Sequence, residues 1–251
     1  MQIASLGSGS KGNATLVRAG DCTLLIDCGF SLKQFSSRLA RLNISVESIN
    51  AILLTHEHGD HSSGIIRLAQ NYNIPVWCTV GTAKEVFDEH FSFNPVSGGK
   101  TFEMKPFEIM PVTVPHDARE PVQFVITDQS SGQKLGVLTD TGHISSHILE
   151  AFDDLNGLLL EFNYDEQMLS GGPYPYPLKQ RVGGQLGHLS NLQSSQMLQE
   201  INKSRLSCLI AGHISEKNNS RTIVKQALEN IEGIPQPILA CQEDGFNWIS
   251  V

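Results

Sequence analysis

Residues 51–61 read Ala51-Ile52-Leu53-Leu54-Thr55-His56-Glu57-His58-Gly59-Asp60-His61, an apolar run that ends in the pattern H-x-H-x-D-H. A short apolar run bounded by polar residues reads as a buried strand. His56, His58, Asp60 and His61 then place three imidazoles and a carboxylate directly after it, the ligand types that zinc, manganese and iron accept. The loop after a strand meets solvent at the edge of the sheet, so these donors stand at a lip rather than in the core. A polar loop that happened to be rich in histidine, or imidazoles capping a following helix, would need neither the strand in front nor matching donors further on.

Matching donors do occur further on. Strand patterns at residues 135–138, 158–160 and 206–211 finish at Asp140, Glu161 and His213, and His116 lies in the loop 114–120 among consecutive strands over 101–127. Upstream, residues 3–6, 15–18 and 23–26 read as a strand meander, with the turn-rich Gly7-Ser8-Gly9-Ser10-Lys11-Gly12-Asn13 between the first two. Ser31 predicts an N-cap for a helix through Arg41 that buries Leu32, Phe35 and Leu39. Ser62-Ser63 opens a second helix with Ile65, Leu68, Ala69 and Tyr72 on one face; residues 75–78 read as a strand and 82–90 as a helix. Strand after strand finishing in His, Asp or Glu turns a local motif into a site, because the carboxyl ends of strands in an α/β layer structure open on a common crevice.

The chain of 251 residues, 40% hydrophobic, suffices for one large domain or two intimately packed halves, and no long linker divides it. A net charge of -8 excludes a broad basic face that grips nucleic acid by phosphate neutralisation, although not a nucleic acid held locally. Bound metal ions would offset part of that acidity. Met1-Gln2-Ile3-Ala4-Ser5-Leu6 lacks the basic start and apolar segment of a signal peptide, and no stretch reaches the roughly 18 apolar residues of a membrane span. The five cysteines, Cys22, Cys28, Cys78, Cys208 and Cys241, are odd in number and widely spread, so reduced thiols are expected rather than a disulfide framework. The expectation is a cytoplasmic protein with no membrane attachment, in which the glycosylation sequon Asn13-Ala14-Thr15 goes unread.

Gathering the strand-end residues gives His56, His58, Asp60, His61, His116, Asp140 and His213, a set that two metal ions would share. With Asp27 shortly before Gly29, they stand in the order of the five motifs of the metallo-β-lactamase fold superfamily, which the chain resembles over essentially its whole length. The resemblance implies a single α/β domain over residues 1–251: a four-layer αββα sandwich, two mixed sheets flanked by helices. It also implies two divalent ions, zinc or manganese, one on His56, His58 and His116 and the other on Asp60, His61 and His213, with Asp140 bridging. Narrower still, Glu161-Phe162-Asn163-Tyr164-Asp165, Tyr174-Pro175-Tyr176-Pro177-Leu178-Lys179-Gln180-Arg181, Gly187-His188-Leu189-Ser190-Asn191, the tail at residues 213–219 and the opening at 7–13 are similar to the YycJ/WalJ family. That family is related to tRNase Z and to the PhnP phosphodiesterase. The similarity implies cleavage of phosphodiester bonds in nucleic acid or in a small phosphodiester, with 5′-to-3′ DNA exonuclease action as the leading expectation.

Two ions about 3.5 to 4 Å apart activate a water and clamp the entering and leaving oxygens of a phosphodiester. Asp60 would orient the nucleophile. By similarity, His188 binds phosphate and gives a proton to the leaving alkoxide, a helix-capping or core histidine being the alternative. Glu161 would orient His188 by accepting its other ring proton, or stand as an ordinary exposed carboxylate. Lys179, Arg181, Ser190 and Asn191, the last two at the start of a helix predicted over residues 190–201, are candidate phosphate contacts, against a solvated loop. The 7–13 loop lacks the G-x-x-x-x-G-K-[ST] spacing and reads as a rim turn. His90, His143 and His147 match no ligand position, although His143 is close enough in sequence to Asp140 to reach the mouth of the site.

The alternative function is hydrolysis of small esters, thioesters or lactones, which uses the same metals but needs no phosphate-binding cation and no proton donor for an alkoxide. His188 with Arg181 favours the phosphodiesterase. A binding module without chemistry has no need of so many donors. The missing signal segment disfavours a secreted β-lactamase, and His58 stands where the flavin-linked diiron reductases of this fold carry a carboxylate.

Overall fold

Strands that are apolar on both faces need cover on both. The computed structural model, which describes residues 1–251, provides it with two stacked sheets and outer helices. The strands β1 (Gln2–Gly7), β2 (Ala14–Ala19), β3 (Cys22–Ile26), β4 (Ala51–Leu53), β5 (Val76–Thr79) and β6 (Asn94–Val96) follow one another across the first sheet. The second sheet takes β7 (Phe102–Met104), β8 (Phe107–Thr113), β9 (Val122–Asp128), β10 (Lys134–Leu138), β11 (Gly157–Glu161), β12 (Cys208–Gly212) and β13 (Ile238–Leu239). The last strand, β14 (Phe246–Ser250), returns to pair antiparallel with β1. Both sheets are mixed: β3 to β6 are parallel neighbours in one, β10 to β13 in the other, and the rest of each is antiparallel.

Alternation along single strands builds the layers. Leu24 and Ile26 of β3 face the space between the sheets, where they meet Phe107, Phe124, Leu135 and Ile210. Leu25 between them points the other way, into a layer with Ile52, Phe35 and Leu39 of α1 (Leu32–Ala40) and residues of α3 (Ile65–Tyr72), which follows the short α2 (Gly59–Ser62). On the far side, Leu138, Leu158 and Leu160 pack under α5 (Ser146–Ala151), α8 (Asn191–Glu200) and α9 (Arg221–Leu228). The remaining helices are α4 (Val80–Val86), α6 (Glu166–Gly171) and α7 (Tyr176–Val182). The expected αββα sandwich is therefore present. None of the helices is long and apolar enough to cross a membrane.

Several boundaries differ from the sequence reading. The H-x-H-x-D-H turn itself winds into α2 with His58 as its N-cap, and the next helix begins after Gly64 rather than at Ser62-Ser63. A Cβ on Gly64 would overlap the Phe30 carbonyl, so the turn closes there only because the residue has no side chain. Thr79 accepts the amide of Thr82 and starts α4 two residues early; the helix stops at Val86 instead of running to His90. Ser31 caps α1 as expected with a reciprocal Gln34 bond, but Leu32 is only half-buried.

Candidate metal centre and catalytic cleft

The parallel strands deliver their carboxyl ends to one crevice between the sheets. Asp27 and His213 come immediately after β3 and β12, and Asp140 two residues beyond β10; their φ angles are 61°, 51° and 53°. Left-handed backbone is uncommon outside glycine and costs about 1–3 kcal/mol. Here it turns the side chain off the strand line and across the crevice. Gly29 has a different reason for being glycine: a Cβ there would overlap the carbonyl of Asp60, so the segment after Asp27 presses directly on the α2 turn.

Two clusters result. Nε2 of His56 and Nε2 of His116 lie 3.1 and 3.2 Å from Nδ1 of His58. Next to them, Nε2 of His61 stands 3.3 Å from Oδ2 of Asp140 and 3.6 Å from Oδ2 of Asp60, which is 3.9 Å from Nε2 of His213. The ligand atoms of His56, His58 and His116, of His56, His61 and Asp140, and of Asp60, His61 and His213 each lie within 4.8 Å of one another.

The far nitrogens of His56, His61, His116 and His213 are all engaged, while that of His58 lies 3.8 Å from Oδ1 of Asp117. His61 Nδ1 donates to Oδ2 of Asp27 at 2.7 Å, His116 Nδ1 to the carbonyl of Gly187 at 3.0 Å, and His213 Nδ1 to Oε1 of Glu161 at 2.7 Å. Thr55 gives its hydroxyl proton to Asp27, so its oxygen accepts Nδ1–H of His56 at 2.9 Å. Each such bond holds one proton on Nδ1, so that the ring in its neutral form presents Nε2 to the crevice. Glu161, wholly buried, also accepts Nδ1–H of His188 on Oε1 at 2.9 Å and the amide of Leu189 on Oε2 at 3.0 Å. One carboxylate thus aims two imidazoles.

Charge divides the clusters. Burial, helped by the neighbouring imidazoles, lowers the pKa of His56 and His116 and keeps those two rings neutral. At His61 and His213 burial acts the same way but the carboxylates outweigh it: Asp140, Asp27 and Asp60 raise His61 well above its ordinary value, and Asp140, Asp60 and Glu161 push His213 up to about 10. Burial alone would raise Asp140 and Glu161, yet the facing imidazoles hold Asp140 well below the usual carboxylate range and Glu161 at about 2. This half of the crevice requires positive charge.

The donors fit metal ions on three counts. Asp140 Oδ2 and His213 Nε2 are buried without a hydrogen-bond partner, a state a cation would relieve. Nitrogens about 2.0–2.1 Å from one tetrahedral ion stand about 3.3 Å apart, close to the spacing in the His56, His58, His116 triad. The remaining donors are carboxylate and imidazole, which suit zinc or manganese.

Beside the centre opens a cleft of about 360 Å³ lined by His58, Asp60, Asp140, His188 and Arg181. Of the four expected phosphate contacts only Arg181 reaches it, with Nε bonded to Oδ2 of Asp117 at 2.5 Å. Lys179 does not: it sits on another face of α7 and its Nζ is tied to the carbonyl of Ser170 at 2.6 Å. Ser190 is buried as the N-cap of α8, in a reciprocal bond with Gln193, and Asn191 pairs amide to amide with Asn219 at 3.0 and 2.8 Å. The S-x-x-Q spacing at Ser190 was the signal for a cap. His143 bonds the carbonyl of Gln185 and lies outside the cleft lining.

The sequence reading missed Asp117, Asn163, Tyr174, Ser215 and Asn218 on the cleft wall. It also missed Asn13, the sequon residue, which is buried with Nδ2 3.1 Å from Nε2 of His61. Uncharged amides carry no pattern that marks them. Leu178, Arg181 and Val182, however, share a helical face by their three- and four-residue spacing, which separates Arg181 from Lys179.

A family profile described as "Beta-lactamase superfamily domain" matches residues 23–214. The chain is 32% identical over 234 residues to the exodeoxyribonuclease WalJ of Streptococcus pneumoniae serotype 2 (strain D39 / NCTC 7466), covering 90% of this chain and 86% of the relative. It is 28% identical over 239 residues to the exodeoxyribonuclease YycJ of Bacillus anthracis, covering 92% and 89%. Among solved structures, the metallo-beta-lactamase fold protein YhfI from Bacillus subtilis has a TM-score of 0.75 at 17% identity, over 99% of this chain and 98% of its own, a likeness of fold. By these matches the chain belongs to the beta-lactamase superfamily and, within it, to the family of the WalJ and YycJ proteins.

Proposed function

We propose that the chain is a metal-dependent phosphodiester hydrolase whose substrate is DNA, degraded from a 5′ end. The observation that carries this reading is His188. Its ring is held by Glu161 at 2.9 Å and lines the same cleft as the metal donors and Arg181. An ester or lactone needs no such group. The relatives named exodeoxyribonucleases, similar over most of their length, supply the choice of DNA.

His56, His58 and His116 would hold one divalent ion and Asp60, His61 and His213 the other, Asp140 touching both, with zinc and manganese the candidates. Ions so held supply Lewis acidity and lower the pKa of a water towards neutrality. Asp60, partly exposed at the start of α2, orients the attacking water with the oxygen it does not give to the centre. Glu161 keeps Nδ1 of His188 protonated, so Nε2 is the atom that meets the phosphate and passes a proton to the departing oxygen. Arg181, steadied by Asp117, meets a second phosphate oxygen. Residues 1–251 act as one catalytic unit, since Asp27, His56 and His61 come from one sheet and Asp140, Glu161 and His213 from the other.

The test is product analysis. Protein loaded with zinc or manganese is incubated with DNA and RNA labelled at the 5′ or the 3′ end, beside bis-nitrophenyl phosphate and a lactone. Early release of the 5′ label as mononucleotide from DNA is expected. Lactone hydrolysis without phosphodiester cleavage would overturn the reading.

A further inference from the structure

Asn218 is wholly buried, and neither its Oδ1 nor its Nδ2 has a hydrogen-bond partner in the protein. Its main chain is fixed: the amide donates to Oγ of Ser215 at 3.2 Å and the carbonyl accepts the amide of Asp165 at 2.8 Å. A side chain on Gly172 would begin 2.9 Å from Oδ1, so the glycine leaves the carboxamide its space. Each buried polar atom left unsatisfied costs about 1–3 kcal/mol, and folded proteins keep few of them. This one lines the same cleft as His58, Asp60 and His188. Tyr174, Leu178 and Val182 line it too, all half-buried.

We propose that this part of the cleft is a nucleobase subsite, in which the base of the terminal nucleotide lies along Tyr174, Leu178 and Val182 while the Asn218 carboxamide meets its edge. The proposal rests on the phosphodiesterase reading and extends it to the part of the substrate that does not react. A phosphate has no use for an aromatic ring and two aliphatic side chains, and a neutral amide is a poor match for it beside Arg181 and the metal donors. A base has an apolar face and a polar edge, and this wall offers both. A cleft of about 360 Å³ lies within the roughly 300–1,000 Å³ of small-ligand sites, room for a nucleotide rather than for duplex. The carboxamide presents one donor group and one acceptor side by side, as every base edge does. No protein partner fixes which way round it sits, so it can meet either order. The subsite therefore accepts any base.

The experiment is equilibrium binding of the four deoxynucleoside 5′-monophosphates, and of base-free 2-deoxyribose 5-phosphate, to the metal-loaded protein. Each nucleotide is expected to bind roughly tenfold or more tightly than the sugar phosphate, the contribution of a base on an aromatic ring, with no strong preference among the four. Asn218→Leu, which nearly keeps the volume, and Tyr174→Ala should each reduce that ratio by roughly fivefold or more. If Asn218→Leu does not fold, Tyr174→Ala at its half-buried position decides. Equal binding of nucleotide and sugar phosphate by the unaltered protein, or an unchanged ratio in the variants, overturns the subsite. Phosphodiester cleavage is measured separately. Base-dependent binding by a protein that cleaves no phosphodiester supports the subsite and sinks the nuclease reading; cleavage without base dependence in binding overturns the subsite alone.

Discussion

Replacing Glu161 by glutamine changes one atom and breaks an arrangement that no rotation of the amide can restore. Oε1 accepts from two imidazoles, at 2.7 Å from His213 and 2.9 Å from His188, and Oε2 accepts the amide of Leu189 at 3.0 Å. If the glutamine oxygen takes the imidazole side, its NH₂ faces the buried N–H of Leu189. If it turns round, the NH₂ faces two ring N–H groups. Either way at least one buried donor loses its acceptor, at about 1–3 kcal/mol, which for a chain of this size lowers Tm by roughly 2–12 °C. The larger consequence is at the metal. His213 can answer an NH₂ only by moving its proton to Nε2, the atom that faces the crevice, so affinity should fall roughly 10- to 100-fold, the usual cost of losing a group that orients a metal-binding histidine. Chelator competition at fixed pH measures the affinity and a thermal melt the stability. Glu161→Gln with unchanged metal affinity and unchanged Tm would refute the claim that this carboxylate sets the two rings.

Other expectations follow from the same geometry. His188→Ala should lower kcat by about 10² to 10⁴ while metal content holds, and the loss should shrink on a nitrophenyl ester whose leaving group needs no proton; equal losses on both substrates would reduce His188 to a phosphate-positioning group. Without ions, His213, raised to about 10, and His61, also raised, carry protons at neutral pH and must release them to bind metal, so affinity should weaken as pH falls. Calorimetry in buffers of different ionisation enthalpy detects that release, and identical heats in all of them would contradict it. Lys179→Ala should leave kcat/KM on DNA within about twofold, because its ammonium is engaged on Ser170 outside the cleft and a half-buried substitution away from the site is nearly neutral for activity; a large loss would place it on the substrate path.

The donors could be found in the sequence because each follows an apolar run, and a run that ends in His or Asp combines two signals that seldom coincide. The layers came from the family resemblance, and the structure bears them out: Leu24, Leu25 and Ile26 are all apolar, and both faces of their strand are covered. What escaped was the set of residues that act through others. Asp27 was visible as a motif, but that it holds the amide and hydroxyl of Thr55 and the ring of His61 together depends on β3 and β4 lying side by side. Glu161 was assigned one histidine and serves two, because His213 approaches from the neighbouring strand β12. Contacts across strands are set by pairing and register, and a single sequence carries no direct record of either.

Backbone strain at the crevice falls unevenly, and the unevenness bears on what the site is for. Asp27, Asp140 and His213 all adopt the left-handed conformation at strand ends. At Asp27 the cost is met by three hydrogen bonds to its carboxylate, from the amide and hydroxyl of Thr55 at 2.8 Å each and from His61 at 2.7 Å. At His213 the main-chain amide is held by Oγ of Ser8 at 2.8 Å, the carbonyl by Asn163 at 3.0 Å and the ring by Glu161 at 2.7 Å. Asp140 has looser support: Oδ2 is buried without a hydrogen bond, its nearest partner being Nε2 of His61 at 3.3 Å. Strain persists where the surroundings over-determine it, and a buried carboxylate oxygen without a hydrogen bond favours a cation beside it. Asp140 lies between the triad of His56, His58 and His116 and the acidic cluster, so a metal ion held there would take over from the imidazoles that now face it and offset the strain.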